Sequence, residues 1–359
     1  MMRITIISTP IGFLSSGEGG GVELTLNSLV SGLLDDGHQV RVIAPEKSRL
    51  SDNCKSAQLI CVRGRKQKSW QHQKYDSKIV LTNDSIVKSM LDKALSFKND
   101  SDVIVNLSYD YLPIHKTLDL DIPLLHLISM GDESFEIKKI ISEVYFKYPN
   151  NFGFHTRSQA SDYPFIERPL ILGNGFDLSN YKFNNTKNGP LAWVGRVAPE
   201  KGLEDATYVA NKIGEMLNVW GVIQDQNYLS KIENLYSSKI ISWKGFLKTQ
   251  ELQKGLGRCR ALINTPKWNE AYGNVVVEAL ACGVPVISYA KGGPSEIIKH
   301  GETGYLVDPD DKEGLVKYLN KINNINRKNC RDWVEKNAST KIFTDKVVTW
   351  LKKVIKEYN

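Results

Sequence analysis

The sequence predicts an α/β protein made of two doubly wound, Rossmann-like domains. Three observations carry that reading. The chain has 359 residues, too many for one ordinary hydrophobic core. Apolar strands followed by a turn and a helix open the chain at Arg3–Ala44 and recur at Ala261–Ser288, the βαβ pattern of a parallel sheet. Between the halves lies a polar, turn-rich segment, Asn184-Asn185-Thr186-Lys187-Asn188-Gly189-Pro190. The halves are alike only at that level, since no internal sequence repeat is visible.

Composition narrows the class. Apolar residues make up 41% and charged residues 24%, as in soluble globular chains. No run approaches the roughly 18 apolar residues of a membrane span. The opening MMRITIISTP is too short for a secretory signal and reads as a first strand. Five cysteines (Cys54, Cys61, Cys259, Cys282, Cys330) show neither CxxC nor zinc-ligand spacing, which predicts reduced thiols and a cytoplasmic setting. A net charge of +7 steers anionic ligands. It also permits contact with anionic lipid, although none is expected, and no nucleic-acid motif accompanies it.

Taken in order, Arg3–Thr9 is a strand, and Gly12 and Gly17–Gly21 make a glycine-rich turn. Leu26, Leu29, Val30, Leu33 and Leu34 mark one face of a helix, and Gln39–Ala44 is the second strand. Such a turn lets backbone N–H groups approach a phosphate. A nicotinamide enzyme would open in the same way, with Glu46 as its ribose-binding acid. Residues 48–78 read as a loop-rich, basic excursion carrying Trp70, His72 and Tyr75. Ile86–Phe97 is a helix, and Val103–Leu107, Pro123–Ser129 and Phe152–Thr156 are strands. Tyr109-Asp110-Tyr111 follows the C-terminal end of one strand, where open α/β sheets place ligands. Gly175 suits a turn at positive φ. The second half gives strands at Leu191–Val194, Val219–Ile223 and Ile240–Gly245, a helix at Thr249–Cys259, and helices over 311–359.

The chemistry concentrates in two stretches. In Gly195-Arg196-Val197-Ala198-Pro199-Glu200-Lys201-Gly202, two cations five positions apart flank a strand end and a helix start. Arg196 and Lys201 can converge on a diphosphate, or can simply be surface cations. In the second, Ala261–Asn264 is a strand stopped by Pro266, Val275–Gly283 a helix ending at that glycine, and Val284–Ser288 a strand. Glu270 and Glu278 lie roughly 12 Å apart if helical, too far to share a proton. They suit the two ends of one elongated ligand, with the N–H groups of Gly273, Asn274 and Val275 at a helix start between them. Hydroxyls at both ends and phosphates in the middle describe a nucleotide diphosphate sugar. The competing reading is a capping loop beside a surface glutamate.

The set Pro266, Glu270, Tyr272, Gly273, Glu278-Ala279 and Gly283-Val284-Pro285-Val286 resembles the C-terminal signature of family 4 retaining glycosyltransferases. Ala271 departs from it, standing where the family has Gly. Gly195-Arg196 with Lys201-Gly202 is similar to the same family's GR-x-x-x-x-KG. The resemblance implies the GT-B fold, two Rossmann-like domains facing a central cleft. Residues 1–176 would bind acceptor, 177–340 would bind the nucleotide sugar, and 341–359 would form a helix crossing back to the first domain. Glu270 would hold sugar hydroxyls, Glu278 the ribose, and Arg196 and Lys201 the diphosphate, with Gly20-Gly21 helping across the cleft. Tyr272 would complete the donor site, and Phe246, after Trp243-Lys244-Gly245, would pack beside the base. In the first domain Ser129 falls where the family often has His, and His126 reads as structural. Tyr109, Ser129, Asp132 and Glu133 are the candidate acceptor contacts. No DxD precedes the donor site, so no obligatory metal and no cofactor are expected.

Ser8-Thr9-Pro10-Ile11-Gly12, then GGGVELTL at Gly19–Leu26, GHQV at Gly37–Val40 and HLISMGD at His126–Asp132 look similar to UDP-glucose:tetrahydrobiopterin glucosyltransferases. That resemblance implies UDP-glucose as donor and a reduced pterin such as tetrahydrobiopterin as acceptor. A cell-envelope glycan or lipid-linked acceptor is the alternative. A nucleotide-sugar epimerase or a non-catalytic nucleotide-sugar binder also stays open.

Overall fold

The computed structural model describes residues 1–236 and 239–358. The chain forms two compact units, Met1–Phe176 with the last helix, and Asp177–Ser339.

In the first unit the order is β1 (Arg3–Ile7), α1 (Gly21–Asp35), β2 (Gln39–Pro45), β3 (Gln58–Val62), α2 (Ile86–Leu95), β4 (Val103–Asn106), α3 (Tyr111–Lys116), β5 (Leu124–Ile128), α4 (Phe135–Lys147), β6 (Phe152–Phe154), α5 (Arg157–Ala160) and β7 (Leu170–Ile171). The seven strands pair in parallel in the order β3-β2-β1-β4-β5-β6-β7. In the second unit β8 (Leu191–Val194), α6 (Leu203–Ile213), β9 (Leu217–Trp220), α7 (Gln226–Leu235), β10 (Ile241–Gly245), α8 (Thr249–Leu256), β11 (Ala261–Asn264), α9 (Asn274–Ala281), β12 (Val286–Tyr289), α10 (Pro294–Ile297), β13 (Gly304–Val307), α11 (Lys312–Leu319) and α12 (Arg327–Asn337) follow one another. Six parallel strands lie in the order β10-β9-β8-β11-β12-β13. Helix α13 (Thr340–Tyr358) belongs to the first unit; Asn359, which the expected last helix included, lies outside the described residues.

Both sheets reverse strand order beside their first strand, and both are buried on two faces. Ile6, Val42, Val105 and Leu125 point into one apolar cluster with Leu26, Leu29 and Leu33 of α1 and Phe343, Val347 and Leu351 of α13. Their neighbours Ile7, Ile43, Ile104 and Leu124 point into the opposite cluster with Val87, Met90 and Leu91 of α2. Successive strand residues thus serve opposite faces, which is why these strands read as unbroken apolar runs. Each buried Leu or Ile contributes about 1.5–3 kcal/mol.

Four expectations change. Strand β3 lies inside the stretch read as loop. It is an edge strand whose residues are only half buried, so its pattern is weak. Helix α4, unassigned from the sequence, starts behind the Ser134 cap, whose hydroxyl accepts from the Ile137 N–H. Strand β9 ends at Trp220, and Val222 and Ile223 beyond it are exposed. Positive φ falls on Gly173, not on Gly175. Gly175 is instead required by space, since a Cβ there would sit 2.3 Å from Ser28 Oγ and 2.9 Å from the Phe343 ring.

Candidate functional site

The loops at the C-terminal ends of β8 and β11 are sewn together by backbone contacts. Thr265 Oγ1 donates to Gly202 O at 2.7 Å, and the Lys267 N–H donates to Glu200 O at 2.9 Å. Gly202 has φ +65°, and a Cβ on it would meet Thr265 O at 2.1 Å, so only glycine permits this approach. The result brings Lys201 to Glu270 as an ion pair, each side chain 19% exposed. The Lys201 ammonium also lies 4.6 Å from the centre of the Trp268 ring. The Trp268 indole N–H donates to Glu270 Oε2 at 3.0 Å.

Glycines set the far side of the same loop. A Cβ on Gly292 would lie 2.4 Å from both N and O of Glu270, and one on Gly293 would lie 2.1 Å from Tyr272 O. The Gly293 N–H donates to Glu270 O at 2.7 Å. Tyr272 is buried, and Gly273 caps α9 at φ +99°. Asn274 and Val275 open the helix, at the end toward which its backbone N–H groups point. This end of α9 carries the positive end of the helix dipole and suits an anion.

Glu278 sits one turn further along α9, 7% exposed, and accepts from Tyr181 Oη at 3.1 Å. Burial pushes its carboxyl up to about 7. Arg196 Nη1 donates to Gln224 Oε1 at 2.5 Å, and Nη2 pairs with Glu200 at 3.1 Å. The two cations of the motif are thus held by different carboxylates, Arg196 by Glu200 and Lys201 by Glu270. Phe246 follows β10 and is 53% exposed. Trp268 and the pair Lys267–Asp205 were not singled out from the sequence. Lys201, on which the Trp268 ring lies, and Asp205, the partner of Lys267, are distant in the chain, so spacing carried no signal.

In the first unit the glycine-rich turn is organised inward. The Glu23 carboxylate of α1, 8% exposed, accepts from the N–H groups of Ser15 (2.8 Å), Gly17 (3.1 Å) and Gly19 (3.0 Å). The Gly20 N–H donates to Gly17 O at 3.2 Å, and Gly21 is the first residue of α1. An internal carboxylate therefore occupies donors that the sequence reading offered to a phosphate.

Among the acceptor candidates, Tyr109 is corrected. It is 2% exposed, its hydroxyl donates to Gly131 O at 2.8 Å and meets Tyr163 Oη at 3.1 Å, and it packs in the core. Ser129 is half-buried just beyond β5. Asp132 Oδ2 accepts from Tyr75 Oη at 3.0 Å and pairs with Lys138 at 2.5 Å. Glu133 is half-buried, its N–H donating to Gly131 O at 3.0 Å. Tyr75 and Phe135, both about half exposed, meet edge to face at 6.4 Å. His126 is fully buried between Asn106 (3.1 Å) and Thr117 (2.8 Å), and burial holds its imidazole down to about 3, neutral at physiological pH.

Among the described residues no group of three or more His, Cys, Asp or Glu is placed to hold a metal, and no helix is long and apolar enough to cross a membrane.

Residues 179–340 match the family described as "Glycosyl transferases group 1". The chain is 29% identical over 211 residues to sucrose synthase 2 of Zea mays, covering 52% of this chain and 25% of that one. It thus spans about a quarter of that relative's length. Among solved structures, sucrose-phosphate synthase from Thermosynechococcus elongatus matches over 99% of this chain and 100% of its own, with TM-score 0.78 and 15% identity. An Anabaena protein solved in complex with UDP-glucose matches over 98% and 100%, with TM-score 0.74 and 16% identity. The match to the glycosyl transferases group 1 model thus lies within the second unit, and the chain as a whole has the two-domain, parallel-sheet fold of GT-B structures.

Proposed function

We propose that the chain is a retaining hexosyltransferase taking glucose from UDP-glucose. The observation that carries this reading is the Lys201–Glu270 pair, set beside the start of α9 within the segment that matches the family. Lys201 and Arg196 take the diphosphate, and the first turn of α9 adds backbone donors. Glu270 holds sugar hydroxyls, Glu278 the ribose hydroxyls, and Phe246 lies beside the base. Tyr272 packs beneath the grip.

In the reaction the C1–O bond of glucose breaks and its electron pair leaves with UDP. The acceptor hydroxyl attacks the same face and gives its proton to a leaving phosphate oxygen. Arg196 and Lys201 neutralise the charge that builds on that group. No side-chain nucleophile enters the scheme, and transfer is taken to be metal-independent, so a chelator should leave the rate unchanged.

We take the acceptor to be a reduced pterin such as tetrahydrobiopterin, bound in the first unit near Ser129, Asp132 and Glu133. The support is the match of Ser8–Gly12, Gly19–Leu26 and His126–Asp132 to those enzymes. The exposed Tyr75 and Phe135 rings beside Asp132, set edge to face, offer aromatic contacts for such a ring. The test is UDP release from UDP-glucose with tetrahydrobiopterin under anaerobic conditions, against no acceptor and simple sugars. Pterin-dependent release with a glucosylated pterin in the mass spectrum is expected. Release without pterin dependence would move the acceptor to a cell-envelope glycan or lipid-linked sugar. No turnover of any nucleotide sugar would leave a binding protein.

A further inference from the structure

Trp268 stands between the two groups on which the donor grip depends. Its indole N–H donates at 3.0 Å to Glu270 Oε2, the same oxygen that pairs with Lys201, and the Lys201 ammonium lies 4.6 Å from its ring centre. The backbone that carries it is fixed from several sides. The N–H of neighbouring Lys267 donates to Glu200 O at 2.9 Å, and the Lys267 carbonyl accepts from Lys291 Nζ at 2.5 Å. The Lys267 ammonium pairs with Asp205 and, at 2.5 Å, with Asp310. Asp205, 5% exposed, accepts in addition from Tyr289 Oη at 2.6 Å. Two ion pairs therefore cross-link the same two segments in opposite senses, Lys201 to Glu270 and Asp205 to Lys267, with Trp268 between them.

We propose that Trp268 is a positioning residue that keeps Glu270 aimed when Lys201 is drawn to the donor's diphosphate. The inference rests on the donor-site reading above. In the free protein Lys201 and Glu270 neutralise each other. A diphosphate, with more negative charge than one carboxylate, competes for the same ammonium. Glu270 then loses its cationic partner while still largely shielded from water, and a carboxylate in that position needs another donor. The indole N–H is a neutral donor, which a diphosphate draws far less strongly than it draws the ammonium. It retains Oε2 and leaves Oε1 for a sugar hydroxyl. The ring face meanwhile offers the ammonium a surface along which to shift without losing all its stabilisation.

Two substitutions separate these parts. Trp268→Phe keeps a ring face and removes the N–H; Trp268→Leu removes both. For Trp268→Phe we expect kcat for UDP release from UDP-glucose to fall about tenfold, the scale of one hydrogen bond to a charged group, with Kd for UDP held within about twofold. Trp268→Leu should add a loss of UDP affinity of about threefold. Titration of the native protein with UDP should also change tryptophan fluorescence by more than the same titration of Trp268→Phe. Melting temperatures of both variants guard against a general loss of fold. A native kcat in Trp268→Phe, or UDP affinity falling in parallel with kcat there, overturns the proposal. If the native chain binds UDP and Glu270→Ala loses transfer while Trp268→Phe turns over normally, this inference alone fails. If the native chain does not bind UDP, the donor reading falls with it.

Discussion

The two units use one architecture and differ in how their loops are held. In the second unit the loops after β8 and β11 touch through backbone. Gly202 lies against Thr265 O, Gly292 against Glu270 and Gly293 against Tyr272, each closer than any Cβ allows. In the first unit the corresponding loops are tied by side chains from afar. Asp110 accepts from Gln67 (2.8 Å) and Trp70 (3.3 Å), and Asp132 from Tyr75. Backbone contacts at fixed spacing make a short, rigid motif. Side-chain ties to an excursion leave the loop free to vary in length and chemistry. The contrast suits a shared donor grip on one side and an individual acceptor on the other.

The largest effect is expected at Glu270. Glu270→Ala should lower transfer by about two to three orders of magnitude, the scale of losing a preorganised polar contact to the reacting sugar, with UDP affinity changed little. Steady-state rates beside UDP calorimetry check it, and near-native turnover would remove Glu270 from the site. Next comes Gly292→Ala. The new methyl would collide with Glu270 N and O at 2.4 Å on a backbone at φ +70°, and must push the loop aside. A displacement of that kind costs about a hundredfold in rate. The fall should appear in kcat and be accompanied by a lower melting temperature.

A smaller effect is tied to Glu278. Burial raises its carboxyl to about 7 in the folded protein, above an unfolded value near 4.3. Between these values the folded state holds the extra proton, so this group makes stability fall as pH rises from about 4 to about 7. Glu278→Gln should abolish that slope in thermal melts. If the ionised carboxylate accepts the ribose hydroxyls, UDP affinity should rise from pH 6 to pH 8 in the native chain and stay flat in the variant. The smallest effect lies in the first unit. Tyr75→Phe removes one hydrogen bond to Asp132, worth about 1 kcal/mol, and should raise the acceptor KM several-fold without changing the KM for donor. A shift in donor KM instead would blur the division between the units.

The same contrast explains what could be read from the sequence. The βαβ framework was legible because strands buried on both faces read as apolar runs, and α9 because Gly283 stops it at φ +80°. The motif cations and glutamates of the second unit were legible because backbone contact demands glycine at fixed spacing. Nothing local marks the Lys201–Glu270 pair itself, which joins positions 69 apart. Nor does anything local mark Trp268, whose partner on α6's side arrives only through folding. In the first unit Tyr109 lay at the right end of a strand, yet its hydroxyl is used inside the core. Glu23 carries no signal in the sequence, and only the folded turn shows three backbone N–H groups converging on it. Its protonation is resisted by those bonds while burial favours it, so the carboxyl sits above its ordinary value with burial dominant.

The most direct test of the account is calorimetric titration of UDP into the native chain and into Lys201→Ala. With Lys201 on the diphosphate, loss of a charge-assisted contact of about 1.5–3 kcal/mol converts to a ten- to hundredfold loss of affinity. Native binding with at least a tenfold weaker variant is the expected result. Equal affinity in both proteins, or no binding by the native chain, would contradict the assignment of this site to a nucleotide-sugar donor.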